Sequence, residues 1–117
     1  RKLTRKQVEQ LIERARQQSR VLDLRRVDLN WVNLDGLDLR GANLSGANLR
    51  RANLAGANLT DANLVNTNLS GANLTGCDFS NSDLSGANLI RATANGANFE
   101  GAELDGSHLE SIQGLKY

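Results

Sequence analysis

An all-β solenoid with straight walls, closed at its amino-terminal end by a short α-helix, is the fold this sequence predicts. Three observations predict it. An apolar residue returns at every fifth position from Leu24 to Leu109 with no insertion or deletion, a small residue stands two positions before most of these, and helical periodicity is confined to the start of the chain.

The helix comes first. Thr4 and Gln7 have the spacing of a capping box, in which the hydroxyl takes an orphan amide of the first turn and the Gln reaches back to the cap. Val8, Leu11, Ile12 and Ala15 come next at i, i+3, i+4 and i+7, one narrow apolar stripe that predicts a helix over residues 5–19. A helix of about four turns is marginal alone in water, so the stripe has to pack on the chain beyond it.

That remaining chain has a period of five, which suits neither the 3.6 of a helix nor the 2 of a strand. Eighteen centres run from Leu24 to Leu109, all Leu apart from Phe79, Ala94 and Phe99. Two residues before them stand Leu22, Val27, Val32 and Leu37, then mostly Ala, with Thr67, Cys77, Ser82 and Ser107 as variants. These two columns face inward. The residue before each centre is nearly always Asn or Asp, and it faces outward with the two residues after the centre. One unit is then one side of a square, and four units close a coil of 20 residues. Gly at the corners, from Gly36 to Gly106, supplies the positive φ that a turn demands. The lack of Pro agrees, because backbone amides have to pair with the coils above and below.

Ala-Asn-Leu-x-Gly units repeated without a break over about residues 22–111 resemble the pentapeptide repeat family, whose consensus is A(D/N)LXX. The resemblance implies a right-handed quadrilateral β-helix and no catalytic residue shared across the family. Eighteen units make about 4.5 coils, a rod only about 22 Å long at the inter-strand spacing. The domain reading is a capping helix over 1–21, the repeat solenoid over 22–111 and a tail over 112–117 that leaves the frame.

Stacking by 20 residues sets columns. Leu24, Leu44, Leu64 and Leu84 fill one wall of the core, with Cys77 at a small inward position. Phe79 and Phe99 are expected ring over ring at adjacent coils. Asn48, Asn68 and Asn88 stack as a ladder able to hydrogen-bond from coil to coil. Ala94 continues the column of Leu34, Leu54 and Leu74, and is expected to weaken packing by about 1 kcal/mol or more unless Ile90 or the chain shifts to fill the space.

The ends of a solenoid expose apolar side chains and unpaired backbone, and need cover. The helix is read as the cap at one end, beside Leu22, Val27 and Val32. At the other end the cover is the tail, a further domain or a second copy. Family members of the gyrase-protecting type pair through their carboxy-terminal ends, so the resemblance implies a homodimer by that route. Opening on Arg1 rather than Met reads as a trimmed chain or as one domain of a longer one.

Charge is unevenly placed. Residues 1–26 carry nine Arg or Lys against Glu9, Glu13 and Asp23, a balance of +6, and the remainder carries five against ten, −5. The simplest reading is a solvated basic helix. A lone cysteine can form no internal disulfide and matches no zinc spacing, no apolar run approaches the length of a membrane span, and no signal peptide is evident. A cytoplasmic protein without metal or cofactor is expected.

Candidate chemistry is sparse. His108 is the only histidine and stands outward without a neighbouring nucleophile, and Cys77 behaves as a slightly large Ala in the core. Asp83 and Glu103 share an outward column, but a filled rod offers a carboxylate pair no pocket, so they read as a solvated acidic patch. The column least like the consensus holds Trp31, Arg51, Gly71, Arg91 and Ser111, with Arg50 and Ile90 alongside. Trp and Arg are enriched at binding hot spots, which makes Trp31, Arg50, Arg51, Ile90 and Arg91 the candidate interaction surface, although Arg51 stacked on Trp31 would also serve structure alone.

Three functional classes remain. The first is a non-catalytic scaffold or protein-interaction module, with a protein as partner and no small-molecule substrate. The second is mimicry of DNA toward gyrase or another DNA-binding protein, which the resemblance includes; here the weak negative charge and the Leu centres depart from that pattern. The third is contact of the basic start with nucleic acid or an anionic membrane, nucleic acid being the less expected partner.

Overall fold

The computed structural model describes residues 1–115 and contains one helix, α1 (Arg5–Gln17), and then a stack of coils. α1 begins at a complete capping box. The Gln7 amide donates to Thr4 Oγ1 at 3.2 Å and the Thr4 amide donates to Gln7 Oε1 at 2.8 Å. Val8 is fully buried, and Leu11, Ile12 and Ala15 pack partly buried against the same core. The helix ends two residues earlier than the periodicity predicts, at Gln17, because Ser19 turns into the left-handed region with φ 51°.

The residues before α1 carry no periodic signal, yet they are structured. Lys2 pairs in parallel with Asp28, the Leu3 amide donating to Asp28 O and the Asp28 amide to Arg1 O, which buries Leu3 to 2 % exposure. Ion pairs fix the basic segment on the first coil: Arg5 to Asp35 at 2.9 Å, Arg16 to Asp38 at 3.6 Å and Lys2 to Asp28 at 3.9 Å.

From Asp23 onward every bridge is parallel and joins a residue to the one 20 positions later, from Asp23↔Asn43 to Thr93↔Gln113. Each coil is therefore four units of five, as the period predicts. The hydrogen bonds alternate around that bridge: Leu44 N–H donates to Asn63 O at 2.7 Å, and Asn63 N–H donates to Ala42 O at 2.9 Å. Each corner is a β-turn. Ala47 N–H donates to Leu44 O at 3.0 Å, and Gly46 between them has φ 67°, with positive φ only at the third turn residue, as a type II turn requires.

The Asn or Asp column has a local task that the residue pattern alone does not show. In unit after unit its Oδ1 accepts from the amide two residues on, as from Ser45 to Asn43 at 3.1 Å and from Thr60 to Asn58 at 3.0 Å, locking the chain into the turn. This corrects the expected amide ladder. Asn48, Asn68 and Asn88 stack, but their oxygens hold the amides of Arg50, Ser70 and Ile90. Among the described residues the coil-to-coil amide bonds are Asn53 to Asn33 at 3.2 Å and Asn48 to Asp28 at 3.5 Å.

The interior is filled by the two inward columns. Leu24, Leu44, Leu64, Leu84 and Phe79 are buried, as are Cys77 and Ala94, while Phe99 in the last full coil is partly covered. Phe79 and Phe99 stack with ring centroids 5.0 Å apart and planes 7° from parallel. Thr67 and Ser82 turn their buried hydroxyls onto the carbonyls of Leu64 and Phe79, which satisfies them inside an apolar core. Ile90 does not turn inward toward Ala94; it lines the outer wall.

The frame also runs further than the side-chain pattern predicts. Ile112 N–H donates to Leu109 O, Gln113 pairs with Thr93, and Ala94 N–H donates to Gln113 O at 2.7 Å. A wall position needs only its backbone to pair, so Gln serves there, and the departure comes at Gly114, which stands where a centre Leu would be. Of the tail expected over 112–117, Lys116 and Tyr117 lie outside the described residues.

Candidate interaction surface

One corner of the coil brings together Trp31, Arg51, Gly71 and Arg91, each 20 residues from the next. Their spacing is fixed by the backbone: Trp31 N–H donates to Arg50 O, Arg51 N–H to Ser70 O, Gly71 N–H to Ile90 O and Arg91 N–H to Glu110 O, all at 2.8 to 3.0 Å. The column lies at the third turn residue, the position with positive φ. Elsewhere that position is filled mainly by Gly, Asn and Asp, which tolerate the left-handed region. Here Trp31 has φ 66°, Arg51 55° and Arg91 62°. Bulky side chains with a Cβ penalty are concentrated at this corner, and Arg26 is the other long one.

Trp31 is 62 % exposed, and the Arg51 guanidinium carbon lies 5.0 Å from its ring centroid, in the cation–π arrangement. Gly71, one coil beyond Arg51, leaves a gap in the wall. A Cβ there would sit 3.0 Å from Arg51 Cγ, so the lack of a side chain is what lets Arg51 lie across it. The gap widens into an open hollow of about 390 Å³ lined by Arg50, Arg51, Ser70, Gly71, Asn88, Ile90 and Arg91. Trp31 is outside this hollow, as the other face of the Arg51 stack.

The charge of the hollow is unbalanced. Between residues 42 and 111 the sequence has only three basic side chains, Arg50, Arg51 and Arg91, and the coil gathers all three here. None of them forms an ion pair among the described residues, whereas Arg5, Arg16, Arg25 and Arg40 all do. Of the carboxylates in the same stretch, Glu110 shares this wall one coil beyond Ile90, and Asp61, Asp78, Asp83, Glu100, Glu103 and Asp105 fall in other columns of the 20-residue register.

The remaining candidates do not line the hollow. Cys77 is buried, and desolvation pushes its thiol far above the usual range, so it is not a nucleophile in the folded state. Asp83 and Glu103 are paired in the ladder, but Asp83 accepts from the Ser85 hydroxyl and amide, which holds its carboxyl below the usual range. His108 is exposed, 3.9 Å from Glu110. Among the described residues no group of His, Cys, Asp and Glu is placed to hold a metal ion, and no helix is long and apolar enough to cross a membrane.

The sequence profile described as "Pentapeptide repeats (8 copies)" matches residues 23–61, 52–90 and 72–110, nearly the whole of the coiled stack. The chain belongs to the pentapeptide repeat family. This pentapeptide repeat protein is similar to three solved family members. HetL, a pentapeptide repeat protein involved in heterocyst differentiation regulation from the cyanobacterium Nostoc sp. strain PCC 7120, is 40 % identical over 77 % of this chain and 44 % of its own, with a TM-score of 0.74. A pentapeptide repeat protein from the Arabidopsis thaliana thylakoid lumen is 35 % identical over 73 % of this chain and 59 % of its own, with a TM-score of 0.70. A further one from Nostoc PCC 7120 is 33 % identical over 91 % of this chain and 93 % of its own, with a TM-score of 0.50. The chain thus spans about half the length of the first two. No curated protein matches this pentapeptide repeat chain.

Two features of the corner lie beyond what the sequence shows. Grouping Arg50, Arg51 and Ile90 with Trp31 needs only the period of 20. The hollow needs the absence of a side chain at Gly71, and the left-handed backbone at Trp31, Arg51 and Arg91 needs the turn geometry.

Proposed function

We propose that this chain is a non-catalytic protein-interaction module whose partner, another protein, docks on the corner formed by Trp31, Arg50, Arg51, Ile90 and Arg91. The solenoid is a right-handed quadrilateral β-helix of about 4.5 coils, α1 is its amino-terminal cap, and the setting is cytoplasmic. The observation that carries the reading is the corner's backbone. Arg51 and Arg91 occupy left-handed positions beside one hollow, and Trp31 occupies the same position under the Arg51 stack, where other corners carry mainly Gly, Asn and Asp. Strain kept in this way marks a site where the side chain has a task. Trp and Arg are the residues that supply hot spots at protein interfaces.

Two other readings have less support. A mimic of DNA presents an acidic wall, and this corner is basic. Contact of the amino-terminal segment with nucleic acid or an anionic membrane draws on charges that are partly committed, since Lys2, Arg5, Arg16 and Arg25 pair with Asp28, Asp35, Asp38 and Asp23.

The test is affinity capture from the source organism with the wild-type chain and with Trp31→Gly combined with Arg51→Gly, Gly being the residue that other corners use. A partner captured by the wild type and lost by the double variant supports the reading, and a partner retained by both removes it. A homodimer through the carboxy-terminal end belongs to the same proposal, supported by Phe99, Leu104, Leu109 and Ile112 being only partly buried there. Light scattering that gives a monomer mass at tens of micromolar removes that part alone.

A further inference from the structure

We propose that the hollow ringed by Arg50, Arg51 and Arg91 receives an extended acidic segment of the partner, with Asp or Glu side chains on alternate residues paired to the guanidinium groups. This rests on the interaction reading above and names the chemistry that the corner selects.

Three features lead there. All the basic charge between residues 42 and 111 stands at this one place, without ion-pair partners among the described residues. Arginine presents planar donors that match carboxylates two at a time. The rest of the donor set distinguishes carboxylates along a chain from a compact phosphate. Phosphate is commonly cradled by free backbone amides, and the amides here are taken: Ser70 N–H by Asn68, Ile90 N–H by Asn88, Gly71 N–H by Ile90 O and Arg91 N–H by Glu110 O. What remains free is long side chains spread around a rim.

Spacing agrees. Arg51 and Arg91 are two coils apart, about 10 Å, and side chains on one face of a strand recur at about 7 Å, within the reach of two flexible arginines converging over Gly71. Ile90 gives the intervening side chains an apolar contact at the edge of the hollow.

Trp31 is the only tryptophan, and Arg51 lies over it, so its emission reports events at Arg51. The experiment titrates the full chain with a peptide of alternating Glu and Thr, with a Gln and Thr peptide and inorganic phosphate as comparisons. A saturable change in Trp31 emission with the Glu peptide, weakened about tenfold by Arg91→Gly and by raised salt, and absent with the Gln peptide, supports the proposal. Arg91→Gly leaves the Trp31–Arg51 pair in place and adopts the residue found at Gly71, and an unchanged circular dichroism spectrum checks its fold. No saturable change, equal binding by Arg91→Gly, or equal response to inorganic phosphate overturns it. Failure of the titration beside loss of the captured partner in the Trp31→Gly, Arg51→Gly variant removes the acidic segment and leaves the interaction surface standing. A partner retained by that double variant removes the surface itself.

Discussion

Arg51 lies across the face of Trp31, 5.0 Å from the ring centroid, and both residues have positive φ at the same corner of adjacent coils. The contact recovers part of what the backbone costs. A cation–π pair at an exposed site contributes about 0.5 to 1 kcal/mol, and an L-residue in the left-handed region costs about 1 to 2 kcal/mol. The pair therefore does not explain the choice of these residues on stability grounds. Arg91 has the same backbone strain with no ring beneath it.

Replacing the corner residues by glycine is accordingly expected to separate stability from binding. Arg91→Gly relieves the left-handed strain and makes the unfolded chain more flexible, opposing terms of about 1 kcal/mol each, so its stability stays within about 1 kcal/mol of wild type. Arg51→Gly also forfeits the stack and falls about 0.5 to 1 kcal/mol below Arg91→Gly. Denaturant melts of the two variants measure the difference. A loss well beyond that for Arg91→Gly would show that the arginine is a structural requirement of the corner.

The Asx bracket is expected to matter more than an amide ladder. In Asn58→Ala the Thr60 amide loses its acceptor, a cost of about 1 kcal/mol, whereas Asn58→Asp keeps an oxygen in place and costs less. Equal losses in thermal melts would mean that the Nδ2 group, not Oδ1, carries the contribution.

How much of the fold is legible in the sequence depends on what each level rests on. The centre Leu column and the coil of 20 are a periodicity, and periodicity is fully present in the sequence, as is the stacking of Phe79 on Phe99 that it entails. Leu3 gives no such signal because its partner Asp28 lies in the first coil while Leu3 itself stands outside the repeat frame. Ile112 and Gln113 look external to the solenoid because their side chains depart from consensus, yet a wall position is held by its backbone. The hollow at Gly71 is hidden for a related reason: it is made by what a residue lacks, and a consensus Gly in sequence looks like any other corner.

Core truncation is expected to track depth in the stack. Leu54 is fully buried between Leu34 and Leu74, and Leu54→Ala costs about 2 to 5 kcal/mol because coils above and below hold the cavity open. Leu109→Ala, in the partly covered last coil, costs less. Cys77 supplies a kinetic check in the same region. Its buried thiol is expected to resist maleimide in the native chain and to react on unfolding, so labelling in wild type and in Leu54→Ala compares how often the core opens. Similar melting temperatures for Leu54→Ala and Leu109→Ala would contradict the depth argument.

Acid is the last condition that the geometry addresses. Asp23 is held at about 2, down from an ordinary 3.8, by its hydrogen bonds to the Arg25 side chain and amide. Asp38 beside Arg40, Asp78 beside the Ser80 hydroxyl and Asp83 beside the Ser85 hydroxyl are lowered too. A carboxyl lowered in the folded state takes up its proton more readily unfolded. Its contribution to stability is therefore complete above the unfolded value and is lost as pH falls through the folded one. Melting temperature is expected to be flat near neutrality and to fall between about pH 4 and about pH 2, modestly, because these carboxylates lie largely in solvent. Asp78→Asn and Asp83→Asn make the sharper experiment. Asn fills the same column elsewhere and keeps the oxygen that brackets the turn, but it does not titrate. The double variant is expected to melt close to wild type near pH 7 and to lose less than wild type on acidification; an acid limb of unchanged depth would assign the loss to Asp23 and Asp38 instead.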